Sequence, residues 1–194
     1  MTGDDYMQEK MALANARATE LISLAEQMFG AMTSPWQYAG VTFRDHPPHL
    51  YYAPDVGSVQ IALSLRALED DLQRDFQLSH EVCHLLYPSV EPDNPKTPST
   101  TVLNEGISTY FSVLVLAADH GEEAAASAIQ SLSEYSPNYF NAYKQVSALL
   151  QKDRHAIRKI REVQPMVNKI SKTDLQAVDL LLSDEQIKSL TAIC

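Results

Sequence analysis

The chain has 194 residues, enough for one sizeable core and short for two, so a single domain is expected. It is 45% apolar and 21% charged with a net charge of −10, which excludes a disordered chain and argues against nucleic acid or an anionic membrane surface as the main partner. No apolar run reaches the roughly 18–20 residues of a membrane span, the acidic start Met-Thr-Gly-Asp-Asp-Tyr is unlike a signal peptide, and two cysteines imply no disulfide framework. A cytoplasmic location is expected.

Met7, Met11, Ala14, Ala18, Leu21, Ile22, Ala25, Met28 and Phe29 follow steps of three and four, which predicts a first helix ending at Gly30. Tyr38–Phe43, Leu50–Tyr52 and Val59–Leu63 are short runs bounded by Pro, Gly and Asp. They predict three strands, paired mostly antiparallel because their connections are short. Helical period returns at Leu65 and continues to Leu86, as one helix or two. Pro92, Pro95 and Pro98 then mark an exposed loop. Thr100 or Thr101 caps a helix reaching about His120. A further helix covers Glu122 to about Tyr135, and another enters at Pro137 and runs to roughly Val163. Ser183 with Gln186 three residues on forms a capping box for the last one. Residues 151–172 carry 7 Lys/Arg against 2 Asp/Glu, read as a solvated basic helix face.

Residues 80–84 read His-Glu-Val-Cys-His within the helical segment before Pro88. Residues four apart lie one above the other on a helix, so His80 and His84 can aim ring nitrogens at one point. Two neutral imidazoles suit zinc, which needs a third protein ligand and an open fourth position for catalysis. Glu105, in Asn104-Glu105-Gly106, lies twenty-one positions after His84 and is the candidate third ligand. Glu81 falls about 100° round the helix from His80, beside the metal position, where it can serve as general base. Cys83 reads as a core residue. His46-Pro47-Pro48-His49 reads as a loop, and His120 suits a helix C-terminus.

The pairing of His80-Glu81-Val82-Cys83-His84 with Leu103-Asn104-Glu105-Gly106-Ile107-Ser108-Thr109-Tyr110-Phe111 resembles the gluzincin metallopeptidases, over about 32 residues from Ser79 to Tyr110. The Asn-Glu-Gly run with its aromatic pair looks most like the aminopeptidase branch, although no Gly-x-Met-Glu-Asn-type run precedes the motif. Thermolysin-like members carry an aspartate four positions after the glutamate, where this chain has Thr109. The resemblance implies an α+β, zincin-like fold. Its N-terminal lobe (1–88) holds a small, three-stranded sheet, its C-terminal lobe (89–194) is helical, and a cleft runs between them. Val59–Leu63 would border that cleft, or else simply form part of the sheet. The resemblance further implies one Zn2+ held by His80, His84 and Glu105, and a peptide or protein substrate. An oxyanion donor is expected downstream, with His155 preferred over Tyr135, Tyr139 and Tyr143. Asn104, Tyr110 and Tyr143 are candidate substrate contacts. The expected activity is peptide-bond hydrolysis by metal-activated water with Glu81 as base. The alternative is a zinc-stabilised protein-binding or regulatory domain acting on one partner.

Overall fold

The computed structural model describes residues 3–91, 93 and 100–194. The expected proline loop at Pro92, Pro95 and Pro98 lies outside the described residues. The fold is α+β, with eight α-helices among the described residues and a three-stranded mixed sheet. No described helix is long and apolar enough to cross a membrane.

Helix α1 (Gly3–Phe29) buries Ala14, Ala18, Leu21, Ala25 and Phe29, the stripe its period predicts, and stops before Gly30. Strands β1 (Gln37–Arg44), β2 (His49–Ala53) and β3 (Ser58–Ser64) lie in the order β1-β3-β2. β2 pairs antiparallel with β3, while β1 pairs parallel with β3, so only one of the two pairings is antiparallel. The short connections do reverse the chain twice. Two reversals leave β1 and β3 pointing the same way, and once β3 inserts between the other two its pairing with β1 must be parallel. A register shift between Tyr38 and Val41 falls at Gly40. There Val41 N–H donates to Asn15 Oδ1 at 2.9 Å. A Cβ on Gly40, whose φ is +92°, would lie 2.6 Å from that oxygen, so only glycine lets α1 approach the strand this closely.

A 3-10 turn at Leu65–Leu68 precedes α2 (Asp71–Leu86), whose cap is Asp70, accepting from Gln73 N–H at 3.0 Å. The segment therefore holds one α-helix after a short turn. Helix α3 (Val102–His120) is capped by Thr101, which accepts from Asn104 N–H, and is buried along most of its length. Helix α4 (Glu122–Tyr135) follows. The single helix expected from Pro137 to Val163 is two, α5 (Pro137–Lys152) and α6 (Ala156–Val163). The break is local: Asp153 Oδ1 accepts from His155 N–H at 2.8 Å and Asp153 O from Ala156 N–H at 3.0 Å. Short helices α7 (Lys172–Ala177) and α8 (Asp184–Leu190) each open with a capping box, the second being Ser183 with Gln186.

One hydrophobic core runs from Ala14 of α1 through Ile61, Val82, Ile107 and Val146 to Leu190 of α8. The basic segment is not simply a solvated face. Arg161 is 6% exposed and donates to the carbonyls of Phe29, Gly30 and Ala31 at 2.9, 2.7 and 2.7 Å. Arg158 reaches the carbonyls of Glu26, Gln27 and Met28. Helix α1 has no basic residue in its own last turn, so two arginines from α6 satisfy its terminal carbonyls and its dipole.

Candidate metal centre

Helices α2 and α3 build the centre. His80 and His84, one turn apart on α2, place their Nε2 atoms 3.1 Å from each other. Glu105, in the first turn of α3, brings Oε2 to 3.2 Å from His80 Nε2 and 3.5 Å from His84 Nε2. Tetrahedral bonds of about 2.0–2.1 Å require ligand atoms about 3.3–3.4 Å apart, so this triangle has the size of a zinc site. The three residues are also the one group of His, Cys, Asp or Glu among the described residues with metal-binding proximity. Glu105 is 4% exposed, and its Oε2 faces the two ring nitrogens. A buried carboxylate oxygen converging with two imidazole nitrogens is a donor set that suits a shared cation.

Asn104 is fully buried. His84 Nδ1 donates to Asn104 Oδ1 at 3.1 Å, and Asn104 Nδ2 donates to Ser89 Oγ and Asn168 Oδ1, each at 3.4 Å. With Asn104 Oδ1 as its acceptor, Nδ1 carries the ring hydrogen, so the neutral form of His84 would turn its Nε2 lone pair to the triangle. The expected substrate contact thus touches His84, one of the candidate ligands.

Charge coupling within the centre is strong. Burial alone would lower the His84 pKa, but the Glu105 carboxylate outweighs it and pushes the ring up to about 9. Burial alone would raise Glu105; the imidazoles outweigh it and hold the carboxyl below the usual carboxylate range. Glu81 is 4% exposed and its pKa is raised by burial, with His84 and His80 opposing. A carboxyl raised in this way, beside a metal position, is suited to proton transfer.

A cleft of about 300 Å³ opens over the centre, lined by His80, Glu81, His84 and Glu105 together with His49, Leu50, Tyr52 and Tyr139. The strand at the cleft is therefore β2. β3 lies between β1 and β2 and has no free edge, so it is part of the sheet and not the cleft border. A neighbouring cavity of about 380 Å³ shares His80, Glu81 and Tyr139 and adds Phe76, Leu132 and Thr109. Thr109 is fully buried with an unpartnered Oγ1.

His155, the expected oxyanion donor, lies outside both cavities. It is exposed at the start of α6, where its Nε2 accepts from Arg154. The turn at Asp153 carries it away from the α5 face that packs on α3. Tyr110 and Tyr143 stack on each other, ring centroids 6.4 Å apart, and line neither cavity; Tyr135 is 80% exposed. Tyr139 is the tyrosine at the site. Its ring centroid is 5.9 Å from that of His80, and burial, then the Glu105 carboxylate, push its pKa up to about 12. A signal for it existed, since Tyr139, Ala142 and Val146 share one face of α5 and the last two press on Gly106, next to Glu105. His49 also faces the cleft, its Nδ1 2.8 Å from Pro47 O. Cys83 is a buried core residue, and His120 Nε2 pairs with Asp75 Oδ2 at 2.8 Å. Comparison of the chain with protein-family models, curated proteins and solved structures finds no match.

Proposed function

We propose that the chain is a zinc-dependent peptidase of zincin-like architecture, cleaving peptides in the cleft between the sheet-bearing half and the helices that follow. The observation that carries this reading is the triangle of His80, His84 and Glu105, with edges of 3.1–3.5 Å, and the buried carboxyl of Glu81 on the same helix. A bound zinc would supply Lewis acidity, acidifying a water and polarising a carbonyl. The chain does the rest. Glu81 accepts the proton of the attacking water and delivers it to the leaving amine. Tyr139, whose hydroxyl stays protonated at neutral pH, is placed at the cleft as hydrogen-bond donor to the developing oxyanion. β2, an edge strand, offers main-chain groups to an extended peptide.

The test is zinc analysis with a peptide-library digest of the parent and of Glu81→Gln. The variant should hold zinc at the parental stoichiometry and lose at least about a hundredfold in hydrolysis. Parental turnover in that variant removes Glu81 as the base. Zinc-loaded parent that cleaves nothing in the library points instead to a protein-binding or partner-specific role.

A further inference from the structure

The cavity of about 380 Å³ beside the metal centre shares only His80 with the three candidate ligands. It is at the small end of ligand pockets, with room for one large side chain. Phe76 and Leu132, both part-buried, pack on the small core of Val113, Leu116 and Ala125 and line the cavity, and Pro47 and Pro48 add further apolar wall. Of its polar groups, Gln77 is tied at both ends: its Oε1 accepts from Ser64 N–H at 3.0 Å and its Nε2 donates to Ser64 Oγ at 2.8 Å. Thr109 is different. A hydroxyl inside a helix commonly bonds the carbonyl four residues back. On α3, Ser108 does so to Asn104 O at 3.2 Å and Ser112 to Ser108 O at 3.0 Å. Thr109 lies between them in the chain, is fully buried, and its Oγ1 makes no such bond. It follows Glu105 by one turn, so this hydroxyl stands on the same face of α3. None of these features depends on a metal.

We infer that the cavity receives the side chain of a substrate tyrosine beside the scissile bond, and that Thr109 selects its hydroxyl. The peptide half of the inference rests on the peptidase reading above; the phenol site does not. An aromatic ring suits walls of proline, leucine and phenylalanine. A phenol hydroxyl brings a donor and an acceptor to Thr109 Oγ1, whereas phenylalanine would leave that buried oxygen without a partner. A carboxylate would face Glu81, which also lines the cavity, and an ammonium would enter apolar walls at a desolvation cost. Because His80, Glu81 and Tyr139 line this cavity and the metal cleft alike, a side chain held here leaves its backbone in the cleft.

Binding is read first, by ligand-observed NMR titration of the full chain with p-cresol and with toluene. The parent should hold p-cresol about five- to tenfold more tightly than toluene, the worth of one hydrogen bond. Thr109→Val should bind toluene as the parent does and lose the preference, Thr109→Ser should keep it, and Leu132→Trp, which fills the cavity, should bind neither probe. Peptide pairs differing only in Tyr or Phe next to the cleaved bond should show the same ratio in kcat/KM, abolished in Thr109→Val. No saturable binding by the parent, or a preference that survives in Thr109→Val, overturns the inference and leaves the zinc reading intact. Selective p-cresol binding through Thr109 in a chain that cleaves no peptide overturns the peptidase reading and upholds the phenol site.

Discussion

Asn104 Oδ1 stands 3.1 Å from His84 Nδ1, and the next residue on the same helix is Glu105. One turn of α3 thus carries both a candidate ligand and the acceptor that aims another. Loss of such an outer partner typically weakens metal binding about ten- to hundredfold. Asn104→Ala is therefore expected to raise the zinc dissociation constant by that factor while Glu81 chemistry persists at saturating zinc. Competition against a chromophoric chelator measures it; an unchanged constant would deny Asn104 its orienting role.

The His84–Glu105 coupling sets a pH dependence. A histidine ordinarily titrates near 6.5, and here Glu105 overrides burial to push it up to about 9. Zinc requires the neutral ring, so binding must displace a proton throughout that interval. Affinity should climb by up to about tenfold per pH unit toward pH 9. Stability of the chelator-treated protein runs the other way. The raised pKa stabilises the fold fully below about 6.5, and that contribution disappears as pH rises through about 9. Chelator competition and thermal unfolding from pH 6.5 to 9 should give slopes of opposite sign.

Gly106 permits the closest approach of α3 to α5. A Cβ there would lie 2.5 Å from both Ala142 O and Val146 Cγ2. Gly106→Ala gains helix propensity but must push α5 away, and overpacking of this kind costs about 1–3 kcal/mol. The urea midpoint should fall with little change in slope. Since Tyr139 sits on the same face of α5, hydrolysis should drop as well.

Much of this was legible because it is local. Gly30 and the Ser183–Gln186 box stop and start helices through neighbouring backbone groups. His80 and His84 share a helix face through spacing alone. Features depending on distant segments were not legible. The short connections of β1, β2 and β3 say nothing about which strand lies in the middle. Asn104 carries no mark that it faces inward to a histidine. His155 matched an expected distance along the chain, yet the Asp153 turn, a side-chain effect of one residue, placed it on the surface.

Arg161 is the one buried Lys or Arg among the described residues. Its guanidinium serves three carbonyls at the end of α1 and lies over the Tyr87 ring, 5.0 Å from its centroid. Arg161→Lys retains charge but not the planar fork. Leaving these buried and part-buried carbonyls without a donor is expected to cost about 1–3 kcal/mol, read as a lowered urea midpoint, whereas Lys188→Ala, at an exposed position of α8, should be nearly silent.

The bond between Arg161 and Phe29 joins positions 132 residues apart. A contact of such separation carries the entropy cost of closing a long loop. The first helix emerges during synthesis with its last carbonyls still bonded to water, and it is completed only when residue 161 has left the ribosome. A chain stalled or clipped before residue 161 would therefore leave the carbonyls of Phe29, Gly30 and Ala31 without their guanidinium donors.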